Sequence, residues 1–183
     1  ISDNDLRNTY LPAFRTLVQD AKVGAVMCAY NSLNGTPCCI NNTLLNDILK
    51  KEWNFSGYIV TDCWALEDAY KTHHYAKTDA ETAALAIKTG INVECGTTLT
   101  ALETALKNKL ITEDDINQAL IPNLTSLFRL GFFDAPEKSP GYLLKEKSVN
   151  SFMHRELAKK TALQSMVLLS NKNNILPLSK NIH

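Results

Sequence analysis

The chain has 183 residues, of which 45% are hydrophobic and 21% are charged. This composition is typical of an ordinary soluble globular core and argues against a disordered tail. The 19 basic residues balance the 19 acidic residues, so the charge gives no reason to expect a nucleic acid or an anionic membrane as the partner. No apolar run approaches the roughly 18 residues that a membrane span needs.

The chain begins at Ile1, without an initiator methionine and without a basic segment followed by an apolar stretch. No signal peptide is therefore visible. At roughly 150 residues per domain, the length fits one domain together with a piece of another. We expect the sequence to begin inside a longer protein.

The first part of the chain alternates between strand-like and helix-like patterns. Apolar runs predict strands over 23–30, which would be buried on both faces, and over 58–61 and 91–93. Helical spacing of apolar residues predicts helices that start near Pro12 and cover 44–49, 80–89 and 99–107. The buried stripe expected for the first helix is Phe14, Leu17, Val18 and Ala21.

This order of elements predicts parallel strands joined by crossover helices, because only a polar turn at Asn34-Gly35, and no hairpin signal, lies between the strands. The predicted strands end near Tyr30, Asp62 and Glu94, at intervals of about 32 residues, close to the size of one βα unit in an α/β barrel. Since such a barrel takes eight strands, most of the sheet would lie outside this chain.

The last third of the chain begins with a long predicted helix over 113–130. Thr112 and Asp115 are spaced as a capping box, Gly131 follows its end, and Pro122 predicts a kink or a local break in the hydrogen bonding. The apolar face expected to be buried is Ile116, Leu120, Leu124, Leu127 and Phe128. Residues 134–150, including Ser139 and Pro140, have linker composition. A helix over 152–164 and a strand over 166–169 are predicted to follow.

The five cysteines are Cys28, Cys38, Cys39, Cys63 and Cys95. None has the CxxC spacing of a zinc or thioredoxin-type site, so no metal site is expected. Two alternatives remain for them. They are small buried side chains with free thiols, or they form one or two disulfides in an exported protein, and the sequence alone does not assign the pairs.

In parallel α/β sheets, functional groups collect at the carboxyl ends of the strands. This rule selects Asp62, which stands between an apolar strand and Cys63-Trp64. A partly enclosed, rigidly held carboxylate beside an aromatic wall suits attack on the anomeric carbon of a sugar. The alternative is structural, with Asp62 as the N-cap of a helix that starts near Trp64.

The same rule selects Tyr30 and Glu94. Tyr30 is either a hydrogen-bond donor to that carboxylate or to a substrate hydroxyl, or an ordinary aromatic residue at a strand end. Glu94 is either a ligand for a sugar hydroxyl or a solvated rim residue. His73 and His74 either contact a substrate or, as we expect, lie at the surface. The charged run at 50–52 is also expected at the surface.

The segment VGAVMCAYNSLNGTPCCINNTLLNDILKKEWNFSGYIVTDCWAL closely resembles the region around the nucleophile in glycoside hydrolase family 3, the β-glucosidase and β-xylosidase family. LFRLGFFD resembles the end of that family's barrel domain, and HRELAKKTALQSMVLLSNKNNILPLSK resembles the opening of its second domain. The resemblance implies an α/β fold in three parts: the C-terminal part of a (β/α)8 TIM-type barrel over 1–133, a linker over 134–150 and the start of an α/β sandwich domain over 151–183.

The resemblance implies that Asp62 is the catalytic nucleophile and that Tyr30 lies beside it in the sugar pocket. With Tyr30, the candidate substrate-binding residues are Cys63, Trp64 and Glu94. Asp-Cys at 62–63 and Glu-Cys-Gly at 94–96 resemble the subgroup that acts on β-xylosides. The implied activity is retaining, exo-acting hydrolysis of terminal β-linked xylose by double displacement. The alternatives are a β-glucosidase, an α-L-arabinofuranosidase or a non-catalytic carbohydrate-binding homologue.

The implied partner is an oligosaccharide or glycoside substrate, with no cofactor, metal, nucleic acid or membrane. The family's acid/base carboxylate is expected beyond His183 and its other sugar ligands before Ile1, so the rest of the parent chain would be needed for activity. A secreted or periplasmic location is implied. The Asn-x-Ser/Thr sites at Asn41, Asn54 and Asn123 would be glycosylation acceptors only in a eukaryotic secretory host.

Overall fold

A computed structural model describes residues 1–138, 141–144 and 146–180. The chain divides into two units, Ile1–Asp134 and Ala135–His183. Within the described residues, no helix is both long and apolar enough to cross a membrane.

The first unit combines short strands with helices that follow them along the chain. Its α-helices are α1 (Asp3–Asp5), α2 (Pro12–Gln19), α3 (Ala65–Lys71), α4 (Asp79–Thr89), α5 (Leu102–Lys107) and α6 (Glu113–Arg129). Two π-helical segments, Leu6–Tyr10 and Thr43–Glu52, and two 3₁₀ turns, Cys38–Ile40 and Thr98–Ala101, complete the helical structure. The predicted helix over 99–107 is thus split between a 3₁₀ turn and α5.

Strands β1 (Ala25–Cys28) and β4 (Tyr58–Thr61) form a parallel pair, with Ala25 opposite Tyr58 and Cys28 opposite Thr61. An isolated parallel bridge joins Val60 to Val93 and is the remnant of the strand predicted over 91–93. The predicted parallel order is therefore confirmed, although the third position is a single bridge.

β1 is shorter than the predicted strand over 23–30, and its expected burial on both faces is wrong. Cys28 and Ile59 lie on the packed face of the pair and are almost fully buried. Met27, on the opposite face, is 56% exposed. Val60, opposite Met27 on that face, is only partly buried, so the described residues cover one face of the pair more completely than the other.

A small antiparallel hairpin joins β2 (Ser32–Leu33) to β3 (Thr36–Pro37). Its turn residues Asn34 and Gly35 have φ angles of +49° and +86°. Positive φ at both central positions is the requirement of a type I′ hairpin turn, for which Asn-Gly is the preferred pair. The sequence analysis placed a turn here but denied a hairpin, and the structure corrects that.

The main apolar core lies between the β1–β4 pair, the segment Thr43–Glu52 and α3. It includes Leu45, Ile48, Ile59 and Leu66. A second cluster joins α4 to α5 through small side chains such as Ala83 and Ala105, both fully buried. Such small residues let the two helices approach closely.

Lys50 corrects the expectation of a charged surface run over 50–52. Its side chain is half-buried, and its ammonium donates to the carbonyl of Gly90 at 3.2 Å, at the C-terminal end of α4. Burial lowers the pKa of Lys50. Lys51 and Glu52 are exposed as predicted.

The capping box of α6 is confirmed. The Thr112 hydroxyl accepts from the backbone N–H of Asp115 at 3.2 Å, and the Asp115 carboxylate accepts from the N–H of Thr112 at 2.8 Å. Hydrogen bonds from the backbone N–H and the hydroxyl of Thr112 to the carboxylate lower the pKa of Asp115. The helix continues through Pro122 and ends before Gly131, whose φ is +77°.

Two predicted apolar stripes are largely uncovered. In α2 only Val18 is buried, whereas Phe14 and Leu17 are exposed, as is Ala21 just after the helix. In α6 only Ala119 is buried, and the exposed members of its predicted face are Leu120, Leu124 and Phe128. The periodicity located the helices correctly, but the described part of the chain packs against only a few residues of each helix.

The second unit contains α7 (Phe152–Ser165), whose N-cap Ser151 accepts a hydrogen bond from the N–H of His154. Short 3₁₀ turns lie at Pro136–Lys138, Glu146–Ser148 and Lys172–Asn174. Residues 166–169 form no strand, because a strand requires a hydrogen-bonded partner and none pairs with them among the described residues. Ser139 and Pro140 of the predicted linker, with residues 145 and 181–183, lie outside the described residues.

Four cysteines form disulfides, Cys28–Cys39 and Cys63–Cys95. Cys38 is a buried free thiol. The disulfide alternative therefore holds for four cysteines and the buried-thiol alternative for the fifth. The first bond ties the end of β1 to the 3₁₀ turn after the hairpin.

Candidate functional site

Asp62 follows β4 directly and is half-buried. Its backbone N–H donates to the carbonyl of Cys28 at 3.3 Å, which continues the pairing of β4 with β1. Its Oδ1 atom accepts from the N–H of Cys63 at 2.8 Å. The carboxylate is therefore held at the carboxyl end of the parallel pair, which is where the sequence placed it.

Asp62 does not cap α3, the helix that follows it. The N-cap residue is Trp64, which makes no side-chain capping bond. The structural alternative considered for Asp62 is therefore absent, and the carboxylate is left with one backbone donor from its own turn.

Trp64 forms the sharpest part of this turn. Its φ is +70°, a left-handed conformation that is uncommon for a bulky residue and tends to occur at functional sites. Its N–H donates to the carbonyl of Cys95 at 2.7 Å, which holds the turn in place. The side chain is 52% exposed, so an aromatic surface lies open two residues after Asp62.

The Cys63–Cys95 disulfide joins the loop after β4 to the loop after Val93. Beneath it, the buried Thr61 hydroxyl accepts from the N–H of Cys95 at 3.0 Å, and the Thr61 N–H donates to Val93 at 3.0 Å. The two loops are thus fixed by a covalent bond and by hydrogen bonds on either side of Asp62.

Tyr30 lies two residues after β1, and its phenol donates to the carbonyl of Cys63. The pKa of Tyr30 is raised, first by loss of solvent around the hydroxyl and then by the negative charge of Asp62 and a hydrogen bond to it. The hydroxyl therefore lies within reach of both the Cys63 carbonyl and the Asp62 carboxylate. With one proton, it can donate to only one of them at a time.

His73 is a residue whose place the sequence analysis missed. It is half-buried, and its Nε2 atom lies 2.9 Å from the carbonyl oxygen of Tyr30. Because a carbonyl only accepts, this nitrogen carries the proton. The backbone N–H of His73 donates to the backbone carbonyl of Asp68 at 2.8 Å, which helps to fix the imidazole ring beside Tyr30. Its neighbour His74 is exposed, as expected for both.

Glu94 has both carboxylate oxygens on backbone donors. Oε1 accepts from Thr98 at 3.0 Å and Oε2 accepts from Leu99 at 2.6 Å. It therefore caps the 3₁₀ turn at Thr98–Ala101. Gly96 leaves room for this carboxylate, because a Cβ at position 96 would come within 2.8 Å of Oε1. Glu94 is half-buried rather than a solvated rim residue. Its sugar-binding role stays a prediction.

The described residues contain no group of three or more His, Cys, Asp or Glu side chains that could hold a metal ion. The chemical groups gathered here are one half-buried carboxylate, one phenol and one exposed indole. This set suits nucleophilic attack and sugar binding, since a carboxylate can act as a nucleophile and an aromatic ring can pack against a sugar.

Comparison with known proteins identifies the family. The model of the glycosyl hydrolase family 3 N-terminal domain matches residues 1–124. The chain belongs to glycosyl hydrolase family 3. The family 3 resemblance found in the sequence and the predicted α/β content are confirmed.

Several plant proteins are similar to this family 3 chain. Beta-xylosidase/alpha-L-arabinofuranosidase 2 of Medicago sativa subsp. varia is 41% identical over 98% of the chain, which spans 23% of that protein. Beta-D-xylosidase 1 of Arabidopsis thaliana is 40% identical over 100% of the chain, which spans 24% of it. The chain thus spans about a quarter of the length of these relatives.

Two solved glycosidase structures are similar to this chain. The exo-beta-xylosidase XlnD, in complex with a xylobiose aziridine activity-based probe, has a TM-score of 0.90 and 34% identity, covering 100% of this chain and 24% of that one. A beta-glucosidase from Listeria innocua has a TM-score of 0.83 and 28% identity, covering 98% of this chain and 25% of that one.

Proposed function

We propose that this chain is part of a retaining, exo-acting glycoside hydrolase that releases terminal β-linked xylose, with Asp62 as the nucleophile. The observation that carries the proposal is the position of Asp62. It is half-buried at the carboxyl end of β4, it caps no helix, and its surroundings are fixed by Tyr30 and by the Cys63–Cys95 disulfide.

In the proposed reaction, a carboxylate oxygen of Asp62 attacks the anomeric carbon while the bond to the leaving-group oxygen breaks. The leaving group takes a proton from an acid elsewhere in the parent enzyme. Water then attacks the anomeric carbon of the glycosyl enzyme, gives up a proton to the same group and frees Asp62, so that the configuration is retained. Retaining enzymes hold the two carboxyl groups about 5 Å apart.

The side chains around Asp62 have distinct proposed roles. The Tyr30 phenol, which donates to the Cys63 carbonyl, holds the turn that carries the Asp62 carboxylate. The exposed Trp64 indole offers an apolar surface for a sugar ring. Cys63 acts through its disulfide, which forms a wall beside the nucleophile. Glu94 is proposed to bind a sugar hydroxyl with the lone pairs that its two backbone donors leave free.

The preference for xylose has support from the relatives and from the wall beside Asp62. The similar plant proteins are named as xylosidases, and XlnD was solved with a xylobiose probe. Xylose lacks the C6 hydroxymethyl group of glucose, so a rigid disulfide close to the nucleophile is compatible with a smaller sugar. The second candidates are α-L-arabinofuranosidase, from the name of the Medicago relative, and β-glucosidase, from the Listeria structure.

We also propose that residues 1–133 are the C-terminal part of a (β/α)8 barrel, that 134–150 form a linker and that 151–183 open an α/β sandwich domain. The remaining strands, the acid/base group and further sugar ligands would come from the parent chain. The uncovered face of β1 and the exposed stripes of α2 and α6 support this, since each offers apolar surface for further packing. The two disulfides favour an exported enzyme.

The test uses the full-length parent enzyme on nitrophenyl β-xyloside, β-glucoside and α-L-arabinofuranoside. We expect the highest kcat/KM on the xyloside, and a clear preference for the glucoside would overturn the proposed specificity. Absence of turnover on all three, combined with retained sugar binding, would instead favour a carbohydrate-binding homologue.

A further inference from the structure

The chain has four Asn-x-Ser/Thr sequences, at Asn34, Asn41, Asn54 and Asn123, and they occupy very different positions in the fold. We propose that Asn54 is an N-glycosylation acceptor in a eukaryotic secretory pathway, and that the other three are not. The distinction comes from burial, hydrogen bonding and backbone conformation at the four sites, and it does not depend on the proposed hydrolase activity. Asn34 lies in the exposed hairpin turn, but its Nδ2 atom, which would carry the glycan, donates to the carbonyl of Ile1 at 3.0 Å.

Asn54 lies in an exposed turn between Thr43–Glu52 and β4. It stands between two buried aromatic anchors, Trp53 at 6% exposure and Phe55 at 8%, while Asn54 and Ser56 are both exposed. The asparagine and the hydroxyl of the acceptor sequence therefore both lie on the solvent side of the turn.

The turn itself is held by the backbone. The N–H of Phe55 donates to the carbonyl of Leu49 at 3.2 Å. Gly57 lies so close to Gly24 that a Cβ at position 57 would come within 2.2 Å of the Gly24 carbonyl oxygen. Asn54 has a φ of +55°, a left-handed conformation that asparagine tolerates well. No hydrogen bond within the described residues engages the Asn54 or Ser56 side chain, so a glycan would displace no contact.

Asn41 is unsuited to carry a glycan in the folded chain. It is 6% exposed, and its Oδ1 atom accepts from the N–H of Leu44 at 3.0 Å, at the start of the π-helical segment. A glycan on its amide nitrogen would need a path to solvent, and the surrounding residues enclose this side chain. Its modification would conflict with the packing of this turn.

Asn123 is unsuited for a different reason. It is half-buried in the interior of α6, and its hydroxyl partner Thr125 lies two residues later in the same helix. Residues two apart on a helix do not face each other. The side chains of Asn123 and Thr125 are therefore on different sides of the helix.

The compartment required for the modification is consistent with the disulfides. Disulfides form and persist in oxidising compartments, and this chain has two. In the reaction, the Nδ2 atom of Asn54 forms a bond to the anomeric carbon of a lipid-linked oligosaccharide. The lipid pyrophosphate leaves and the amide nitrogen loses one proton, so no oxidant or reductant is needed.

Asn54 precedes β4 and Asp62 follows it. Four strand residues at about 3.3 Å each separate the two ends by roughly 13 Å. A glycan at Asn54 thus lies at the opposite end of the strand from Asp62, and we expect it to leave glycosidase turnover unchanged.

The experiment is to secrete the full-length parent protein from a yeast host and release its N-glycans enzymatically in ¹⁸O-labelled water. This converts each glycosylated asparagine to labelled aspartate, and peptide mass spectrometry then reads all four sites. We expect label at Asn54 and none at Asn34, Asn41 or Asn123. An unlabelled Asn54, or label at any of the other three in folded protein, would overturn the proposal.

Two variants make the assignment independent of folding defects. Ser56→Ala keeps the asparagine and its left-handed backbone but removes the hydroxyl, and it should abolish the label at Asn54. Ser56→Thr keeps the hydroxyl and should retain it. Label that survives Ser56→Ala would contradict the assignment. Unchanged activity of both variants separates this result from the proposed hydrolase function.

Discussion

The phenol of Tyr30 donates a hydrogen bond to the carbonyl of Cys63, the residue directly after Asp62. Cys63 is in turn bonded covalently to Cys95 in the neighbouring loop, and His73 holds the carbonyl of Tyr30 from the other side. The position of the Asp62 carboxylate is therefore set by three neighbours, and each can be removed separately.

Tyr30→Phe removes only the hydroxyl. We expect kcat/KM of the full-length enzyme on nitrophenyl xyloside to fall about fivefold, the value of one hydrogen bond of about 1 kcal/mol. Tyr58→Phe, at the other end of β4, is the matched control and should have wild-type kinetics. Equal losses in the two variants would show that the hydroxyl of Tyr30 has no special role.

His73 is expected to act as a positioning residue. His73→Ala should lower kcat about two- to tenfold with little change in KM, because it removes one hydrogen bond to the backbone of Tyr30. His73→Gln retains an N–H donor and should recover much of the loss, and exposed His74→Gln should be neutral. If His73→Gln is as impaired as His73→Ala while both keep the wild-type Tm, the positioning role is wrong.

The two disulfides should contribute differently to stability and to activity. Cys63–Cys95 spans 32 residues and Cys28–Cys39 spans 11. On the loop-entropy scale, these lengths correspond to about 4 and about 3 kcal/mol of unfolding free energy. We expect paired serine substitutions at 63 and 95 to lower both Tm and kcat, and those at 28 and 39 to lower chiefly Tm. Denaturant unfolding and steady-state kinetics check this, and an unchanged kcat without Cys63–Cys95 would contradict it.

The buried thiol of Cys38 should be unreactive in the folded protein. Burial raises its pKa above the ordinary value of 9.0, so the reactive thiolate is suppressed. The pKa of Cys38 is higher in the folded state than in the unfolded state. The thiol therefore contributes its full stabilisation below about pH 9, and this stabilisation is lost as the pH rises from there toward the pKa of the buried thiol. Alkylation with iodoacetamide at pH 8, followed by peptide mass spectrometry, should label Cys38 only after denaturation.

Local signals in the sequence located much of the fold. The capping box at Thr112 and Asp115, the proline that starts α2 and the strand over 58–61 all agree with the structure, because each depends on neighbouring residues alone. The expected burial of Met27 and Leu120 failed, since burial depends on which surfaces pack against a residue. The segment 166–169 failed as a strand for the same reason.

The positions of the candidate-site residues along the backbone were predictable from the sequence, but their side-chain contacts were not. The rule that functional groups follow parallel strands selected Asp62, Tyr30 and Glu94. The structure places Asp62 directly after β4, Tyr30 two residues after β1 and Glu94 directly after the bridging residue Val93. The rule did not reveal that Glu94 caps a 3₁₀ turn or that His73 reaches Tyr30, because both contacts depend on how loops fold back. The pairing of the cysteines also required the fold.

The central claim is that Asp62 is the nucleophile, and Asp62→Gly in the full-length enzyme tests it directly. We expect kcat on nitrophenyl β-xyloside to fall at least about a thousandfold, as on removal of other catalytic nucleophiles, and added azide to restore turnover with an α-xylosyl azide product. The control Asp68→Asn should keep most of the activity. Wild-type turnover in the folded Asp62→Gly enzyme would contradict the account.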